Sequence, residues 1–344
     1  MLQAFRRVLV TLLIFLFVAP VVNAQEAGEE DSGSSIDVMG QVVDHNVLTL
    51  PGYQMPLPRI FLVDGQWYFY KSTESAIASG QFVEQEGALV PADGSEITID
   101  MSITSHLIYV WFGVVLTLIL TIIMARKYKR GVGRETEPKG WFQNIFEITF
   151  VFVRDEIARD NIPDDKYKKF VPYLFAVFVA IAFMNLFGLL PWGATATADI
   201  TVTGILAFIT FFLTQWNGSK DHWEHVFWFP GVHPLMRIIL TPIEIVGLFT
   251  KPFALAVRLF ANMLSGKVMI ICILGLIFIF TDIFGSAAGI GVSFVSVPLT
   301  AALYILKAFV GLLQAYIFAL LSAVFIGMAA EEPGDHDQAI EAHA

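Results

Sequence analysis

The sequence predicts an all-α polytopic membrane protein, and three observations lead to this fold class. Hydrophobic residues make up 56% of the 344 residues, charged residues make up only 15%, and the mean hydropathy is +0.66. A soluble domain has about a quarter of its residues charged, so the excess of apolar side chains must face lipid. Several apolar runs are also long enough to cross a bilayer, and cationic residues are concentrated between two of them.

The first 24 residues are typical of a cleavable signal peptide. Arg6 and Arg7 precede the apolar run 8–18, and the small-residue segment 22–24 comes directly before Gln25. The apolar run is too short to span a membrane comfortably. An uncleaved first helix is the alternative, and either interpretation places the following residues outside the cytoplasm.

Residues 25–100 are then an extracytoplasmic N-terminal segment. Residues 25–35 are acidic and rich in Gly and Ser, which predicts a disordered lead-in. From residue 36 the composition is that of a soluble protein, and two apolar runs flank Asp64 and Gly65, which predicts a β-hairpin. We expect a small β-rich element here, without chemistry of its own.

Five apolar runs predict five membrane crossings, at 107–124, 170–190, 199–216, 235–280 and 297–330. The segment 126–169 contains eleven Lys and Arg residues, whereas the connections 191–198 and 281–296 contain none. The positive-inside rule therefore places 126–169 in the cytoplasm and both connections outside. The membrane domain is 105–330, and the acidic tail 331–344 is cytoplasmic.

Within the cytoplasmic segment, apolar side chains recur at helical spacing from Trp141 to Ile157, opposite polar residues that include Gln143 and Glu147. This pattern predicts an amphipathic helix that lies in the membrane interface. A surface that binds a partner protein is the second interpretation.

Charged residues inside the last two apolar runs are candidate functional residues. A charge at mid-bilayer costs about 3 kcal/mol or more, so such residues persist mainly where protein or water surrounds them. The residues concerned are Glu244, Lys251, Arg258, Lys267 and Lys307. Snorkelling to the cytoplasmic interface is an alternative for Glu244 and Lys251, but it does not account for Arg258.

Helical spacing brings several of these residues onto shared faces. At 100° per residue, Asn262 and Ser265 fall within about 40° of Arg258, and Glu244 lies on the same stripe about 21 Å nearer the helix start. In the last helix, Lys307 and Gln314 are seven residues apart and share a face. The polar groups of the two helices can therefore line a shared aqueous path.

The run 235–280 is too long for one upright crossing. As a straight helix it measures about 69 Å, more than twice the hydrocarbon thickness. Pro242 and Pro252 lie within it and predict a bend. We therefore expect the last two helices to be long and strongly tilted.

The residues around Arg258 carry a family resemblance. FTKPFALAVRLFANMLSGK at 249–267 resembles the signature of subunit a of F-type ATP synthases. Three further motifs match in the same order: NLFGLLP at 185–191, TAD at 197–199 and QAYIF at 314–318. Four motifs in the same order indicate a family more specifically than any single motif does. The resemblance covers about 105–330, and 25–100 lies outside it.

The resemblance implies a stator subunit of the Fo sector that forms two proton half-channels against a ring of c subunits. Arg258 matches the family's essential arginine, which meets the ring carboxylate and blocks leakage between the half-channels. Asn262 and Gln314 match polar residues near it, Glu244 matches an acidic position on the cytoplasmic side, and Asp199 matches one near the outer entrance.

The resemblance also implies the setting of the subunit. It implies a bacterial inner membrane, lipid contact, b-type peripheral stalk subunits and, indirectly, the nucleotide-binding sector as partners. The chain itself is then not an enzyme, and we expect no catalytic residue, cofactor or metal. The excess of 31 acidic over 21 basic residues also excludes a nucleic-acid-binding protein, and the single cysteine, Cys272, excludes a disulfide framework or a cysteine metal site.

Lys267 and Lys307 depart from the family, which commonly has a carboxylate and a histidine as proton-exchanging groups at these positions. A lysine carries protons only if burial and neighbouring cations lower its pKa well below about 10. Binding of anionic lipid headgroups, or ion pairs with Asp282 or Asp199, are the alternatives. The sequence leaves these interpretations open.

A stand-alone cation/proton antiporter or channel is the alternative function. Many secondary transporters contain paired repeats, but no second copy of 249–267 is present. His222, Glu224, His225 and His233 suggest a metal site, yet they occur in a Trp-rich cytoplasmic loop, which favours anchoring at the interface.

Overall fold

The computed structural model describes residues 47–50, 53–85, 88–95, 97–131, 140–190, 193–227 and 234–331. The predicted signal peptide, the lead-in 25–35 and all of the acidic tail except Glu331 lie outside these residues. The chain divides into two compact units. The first unit comprises residues 1–111, 184–196 and 263–309, and the second comprises residues 112–183, 197–262 and 310–344.

A small element of β-strands and one short helix precedes the long helices. All of its strand pairs are antiparallel: β1 (Val47–Leu50) with β2 (Tyr53–Pro56), β3 (Arg59–Val63) with both β4 (Gln66–Tyr70) and β7 (Ile97–Asp100), and β5 (Phe82–Gln85) with β6 (Ala88–Pro91). Helix α1 (Thr73–Ala78) follows β4 and starts with a capping box between Ser72 and Ser75.

Asp64 and Gly65 form the turn between β3 and β4, at the position where the sequence predicts a hairpin. Their φ angles are 48° and 78°, the left-handed backbone that Asp-Gly adopts readily in a two-residue turn. Phe61 faces inward from β3 and stacks on Phe82, with ring centroids 5.1 Å apart. A separate apolar core of this kind lets the element fold beside the membrane helices.

Seven helices follow Asp100 among the described residues: α2 (Ser105–Lys129), α3 (Trp141–Phe152), α4 (Tyr167–Phe187), α5 (Ile200–Trp216), α6 (Lys220–Phe227), α7 (Pro234–Phe284) and α8 (Ser286–Ala330). By length and composition α2, α4, α7 and α8 can cross a membrane. The chain is therefore a mostly helical polytopic membrane protein. Helix α5 is apolar but has only 17 residues, or about 26 Å, so a fifth crossing remains a prediction.

The connection predicted at 281–296 is much shorter in the structure. Helix α7 ends at Phe284 and α8 begins at Ser286, so only Gly285 separates them. Gly285 has a φ of 86°, which ends a helix at little cost because glycine has no Cβ. The small residues after it continue as helix, and Pro298 lies inside α8.

Helix α3 exposes its apolar side chains and continues as a π-helical segment, Val153–Arg159. Ile148 is 68% exposed, and Trp141 and Ile145 are exposed as well, whereas Gln143 is only 1% exposed. Gln143 is buried because its side chain is in hydrogen-bonding contact with Tyr128 at the end of α2. The exposed apolar face is compatible with both interpretations, a helix in the membrane interface and a surface that binds a partner protein.

The core of the second unit holds the end of α8 against the segment before α4. Ile157 and Leu174 pack with Ala319 and Ala323 of α8, whose small side chains allow close approach. At Gly327 a Cβ atom would collide with the backbone carbonyl of Asn161. The last turns of α8 are therefore closely packed against this segment.

Candidate functional site

Arg258 lies on the exposed side of helix α7. Its neighbours Leu255 and Leu259 are buried within the second unit, whereas the Arg258 side chain is exposed. Within the described part of the chain, Arg258 forms no hydrogen bond or ion pair. An arginine is protonated at any relevant pH and carries five donors. Arg258 therefore presents a permanent charge away from its own chain.

Asn262 and Gln314 are brought together one helical turn beyond Arg258. Asn262 Nδ2 donates a hydrogen bond to Gln314 Oε1 over 2.8 Å, which joins α7 to α8. Gln314 is 1% exposed, and its Nε2 has no acceptor among the described residues. A buried amide donor is costly to leave unpaired. The geometry therefore leaves a donor at this site for water or a partner group.

Lys267 and Lys307 form a second pair of candidate residues, in the first unit. The aliphatic chain of Lys307 lies along the backbone at Gly266: a Cβ there would be 3.1 Å from Lys307 Cε and 3.3 Å from Cδ. Lys307 is 8% exposed, and Lys267 is near enough for its charge to act on Lys307. Lys307 forms no ion pair with Asp282 in the described structure.

Glu244 and Lys251 are half-buried on α7 and act electrostatically on one histidine, His222 of α6. Burial lowers the pKa of the His222 imidazole, Lys251 lowers it further, and Glu244 raises it. From the sequence we expect His222 to anchor the loop at the membrane interface. The effect of α7 on its pKa depends on tertiary structure, which the sequence does not reveal. No three His, Cys, Asp or Glu side chains converge as metal ligands within the described ranges.

Asp199 caps the N-terminus of α5. Its carboxylate accepts a hydrogen bond from the backbone amide of Thr201 at 2.7 Å. The half-buried side chain thus has a structural role in addition to its predicted position near a channel entrance.

The motif turn before Asp199 depends on a glycine. Thr195 Oγ1 donates to the carbonyl of Gly188 at 3.1 Å, and a Cβ on Gly188 would be 2.9 Å from Thr195 Cγ2. The end of α4 and the residues before α5 therefore approach too closely for a larger residue at position 188.

Comparisons with known proteins agree with the four motifs. The family model described as ATP synthase A chain matches residues 107–327. The chain is 42% identical over 248 residues to ATP synthase subunit a of Chloroherpeton thalassium, covering 71% of each protein. It is 41% identical over 244 residues to the subunit of Myxococcus xanthus, covering 70% of this chain and 76% of that protein. With the subunit of an Anaeromyxobacter species the identity is 37% over 325 residues, covering 91% of this chain and 74% of that protein.

Proposed function

Because the chain belongs to the ATP synthase A chain family, we propose that it is the proton-translocating stator subunit of the Fo sector. In this role it lies beside a ring of c subunits and transfers protons between the ring and the two sides of the membrane. The ring, b-type stalk subunits and membrane lipid are its immediate partners. The nucleotide-binding sector is an indirect partner.

Arg258 is the observation that carries the proposal. A guanidinium in a membrane span is costly unless a counter-charge or water accompanies it, and Arg258 has no acidic partner among the described residues. A carboxylate on a neighbouring protein supplies that counter-charge. Since arginine does not release its proton, it attracts the deprotonated carboxylate without becoming a proton pathway itself.

The hydrogen bond between Asn262 and Gln314 supports the same role. It fixes α7 against α8 one turn from Arg258, and Gln314 Nε2 supplies a further donor. Two helices held in register at this point give the ring carboxylate a defined surface to pass. A defined surface matters because proton transfer needs donor and acceptor within hydrogen-bonding reach.

The remaining candidates divide between the two half-channels. Glu244 belongs to the cytoplasmic one, because the positive-inside rule places the start of α7 in the cytoplasm. Asp199, Lys267 and Lys307 belong to the outer one. Each elementary charge that crosses 100 mV provides about 2.3 kcal/mol, so several protons must pass for each ATP made.

The length of the last two helices supports a tilted arrangement in the membrane. Helix α7 has 51 residues, or about 77 Å, over twice the hydrocarbon thickness. We infer that α7 and α8 run strongly tilted in a bacterial inner membrane. The N-terminal segment lies outside the cytoplasm and the C-terminus inside.

The test is Arg258→Ala in the complete ATP synthase, measured in inverted membrane vesicles. The variant should assemble, because Arg258 is exposed and has no partner among the residues that the structure describes, but proton-driven ATP synthesis should be lost. Lys129→Ala is the control, since it removes an exposed cation from the end of α2 and should leave synthesis intact. Coupled synthesis by the assembled Arg258→Ala complex would overturn the proposal. Proton exchange by the purified chain alone in liposomes would favour an antiporter or channel.

A further inference from the structure

The three-stranded sheet β4–β3–β7 has an apolar face in the core of the N-terminal element and a second apolar face on its outside. Phe61 and Val63 of β3 point into the core and are buried. Side chains alternate between the two faces of a strand, so Ile60 and Leu62 lie on the opposite face. An antiparallel sheet with one covered face commonly has polar side chains on the other. This sheet has apolar side chains on both.

The strand register assembles the outside face in two rows. Leu62 is paired with Trp67 of β4 and with Ile99 of β7. Ile60 is paired with Phe69, and the amide of Met101 donates to the Ile60 carbonyl at 2.9 Å, which continues the ladder one residue beyond β7. Residues directly opposite each other point to the same side of a sheet. Six side chains therefore form one continuous surface, which we call the outer face: Ile60, Leu62, Trp67, Phe69, Ile99 and Met101.

The outer face is strongly exposed. Trp67 is 48% exposed and Phe69 is 68% exposed, and Ile99 and Met101 are exposed as well. The rings of Trp67 and Phe69 stack with their centroids 6.3 Å apart, so the two aromatic side chains form a single block. The indole N–H of Trp67 is the one N–H or O–H group among the six side chains. A contiguous apolar patch of this kind marks contact with a membrane or with a protein.

The sheet leads directly into helix α2. The amide of Ile103 donates to the carbonyl of Pro58 at 3.1 Å, so the ladder that starts with β7 continues to the residue before Thr104. Thr104 Oγ1 accepts a hydrogen bond from the amide of Leu107 at 3.4 Å, as the cap of a helix does. These two bonds leave no free linker between the sheet and α2.

This short connection brings the outer face close to the bilayer. Helix α2 is long and apolar enough to cross a membrane, and its apolar run begins at Leu107. The path from Met101 to Leu107 is at most about 15 Å, three extended residues followed by one helical turn. The headgroup layer is itself about 5–8 Å thick on each side of the hydrocarbon. The outer face therefore lies within reach of the membrane surface from which α2 starts.

We propose that the outer face docks the N-terminal element on the lipid headgroup layer beside α2, with Trp67 and Phe69 inserted into the membrane interface. Tryptophan is enriched at this depth, where its apolar ring contacts lipid chains and its N–H meets polar headgroups. A protein interface carries about one hydrogen bond per 100–200 Å², and the side chains of the outer face offer a single donor. Lipid is therefore the occupant that matches this surface. The docking does not depend on proton translocation.

The test introduces the photoreactive residue p-benzoylphenylalanine at position 69 of the full chain, in its native membranes. The exposed aromatic side chain of Phe69 is replaced by another aromatic one, so the sheet should still fold. Irradiation should attach a phospholipid to the chain, which mass spectrometry detects as added phospholipid mass on the proteolytic peptide that contains position 69. The same residue at position 99, on β7, repeats the measurement on the other edge of the outer face.

Position 83 is the matched control. Val83 of β5 is also an exposed apolar residue, but its neighbour Phe82 stacks on Phe61 from the core side of the sheet. Val83 therefore points away from the outer face. The photoreactive residue at position 83 should give no phospholipid adduct.

A second comparison tests whether the aromatic block carries the docking. With the photoreactive residue at position 99, the added changes Trp67→Ser and Phe69→Ser should remove most of the phospholipid adduct. Both side chains are exposed, so their loss should leave the core around Phe61 intact. An unchanged yield of adduct would overturn the insertion of Trp67 and Phe69.

Three other results would overturn the docking itself. They are a cross-link from position 69 to another protein, to a second copy or to another segment of the same chain; the absence of any adduct, which indicates a face in water; and equal phospholipid yields at positions 69 and 83. None of these results bears on Arg258. Coupled synthesis by Arg258→Ala, in turn, would overturn the proposed function and leave the docking in place.

Discussion

Asn262 and Gln314 form a hydrogen bond of 2.8 Å between helices α7 and α8, and this bond uses only the carbonyl oxygen of the Gln314 amide. The other end of the same buried amide, Nε2, has no acceptor among the described residues. The pair therefore has one satisfied and one unsatisfied amide group on Gln314, and Asn262 lies one helical turn from Arg258. This asymmetry leads to a prediction about stability.

Asn262→Leu should destabilise the complex more than the double variant Asn262→Leu, Gln314→Met. In the single variant Gln314 keeps a buried amide with neither of its groups paired, at a cost of about 1–3 kcal/mol. In the double variant both polar groups are replaced by apolar ones, which is often nearly neutral. Thermal unfolding of the detergent-solubilised complex measures the difference. Equal and additive losses in a double-mutant cycle would show that the bond does not couple the helices.

Asp199→Asn and Asp199→Ala should separate the two roles of Asp199. Asparagine caps a helix as well as aspartate, so Asp199→Asn should keep the stability of α5, whereas Asp199→Ala should lose about 1 kcal/mol through loss of the hydrogen bond from the Thr201 amide. If the carboxylate carries protons, both variants should lower proton flux in vesicles. Full flux in Asp199→Asn would restrict Asp199 to capping.

Gly266→Ala should lower proton flux by displacing Lys307. The added Cβ would lie 3.1 Å from Lys307 Cε, so the end of the lysine must shift by a few tenths of an ångström relative to Lys267. Lys307→Met should lower the flux in the same way, and adding Gly266→Ala to it should lower the flux no further. The measurement is potential-driven proton flux per assembled complex.

Gly291→Ala is the matched control for this prediction, because a Cβ there meets nothing within 4 Å. It tests whether any added methyl group in the long helices lowers flux. Unchanged flux in Gly266→Ala and Lys307→Met would leave Lys307 as a structural cation, and lipid-headgroup binding would then be the better account.

Local features of the fold could be predicted from the sequence. The turn at Asp64 and Gly65 follows from the φ angles that this pair favours. The continuation of one helix through Pro242 and Pro252 is harder to predict from the sequence, because proline predicts a bend but does not by itself end a helix. The connection is shorter than the predicted 281–296, because the small residues after Gly285 are compatible with helix as well as with loop.

The candidate site shows the same division. The rotation of 100° per residue places Asn262 near Arg258 on one face of α7, and this relationship follows from the sequence alone. The contact of Lys307 with Gly266 and the burial of Gln143 depend on how separate helices pack. Such long-range relationships leave no periodic signal in a single sequence.

Arg258 lies near the midpoint of α7, 24 residues after Pro234 and 26 before Phe284. Along its own axis the helix continues for about 36 Å before Arg258 and about 39 Å after it. Pro242 and Pro252 each remove one backbone donor from the part of α7 before Arg258, so this part bends more easily than an uninterrupted helix of the same length.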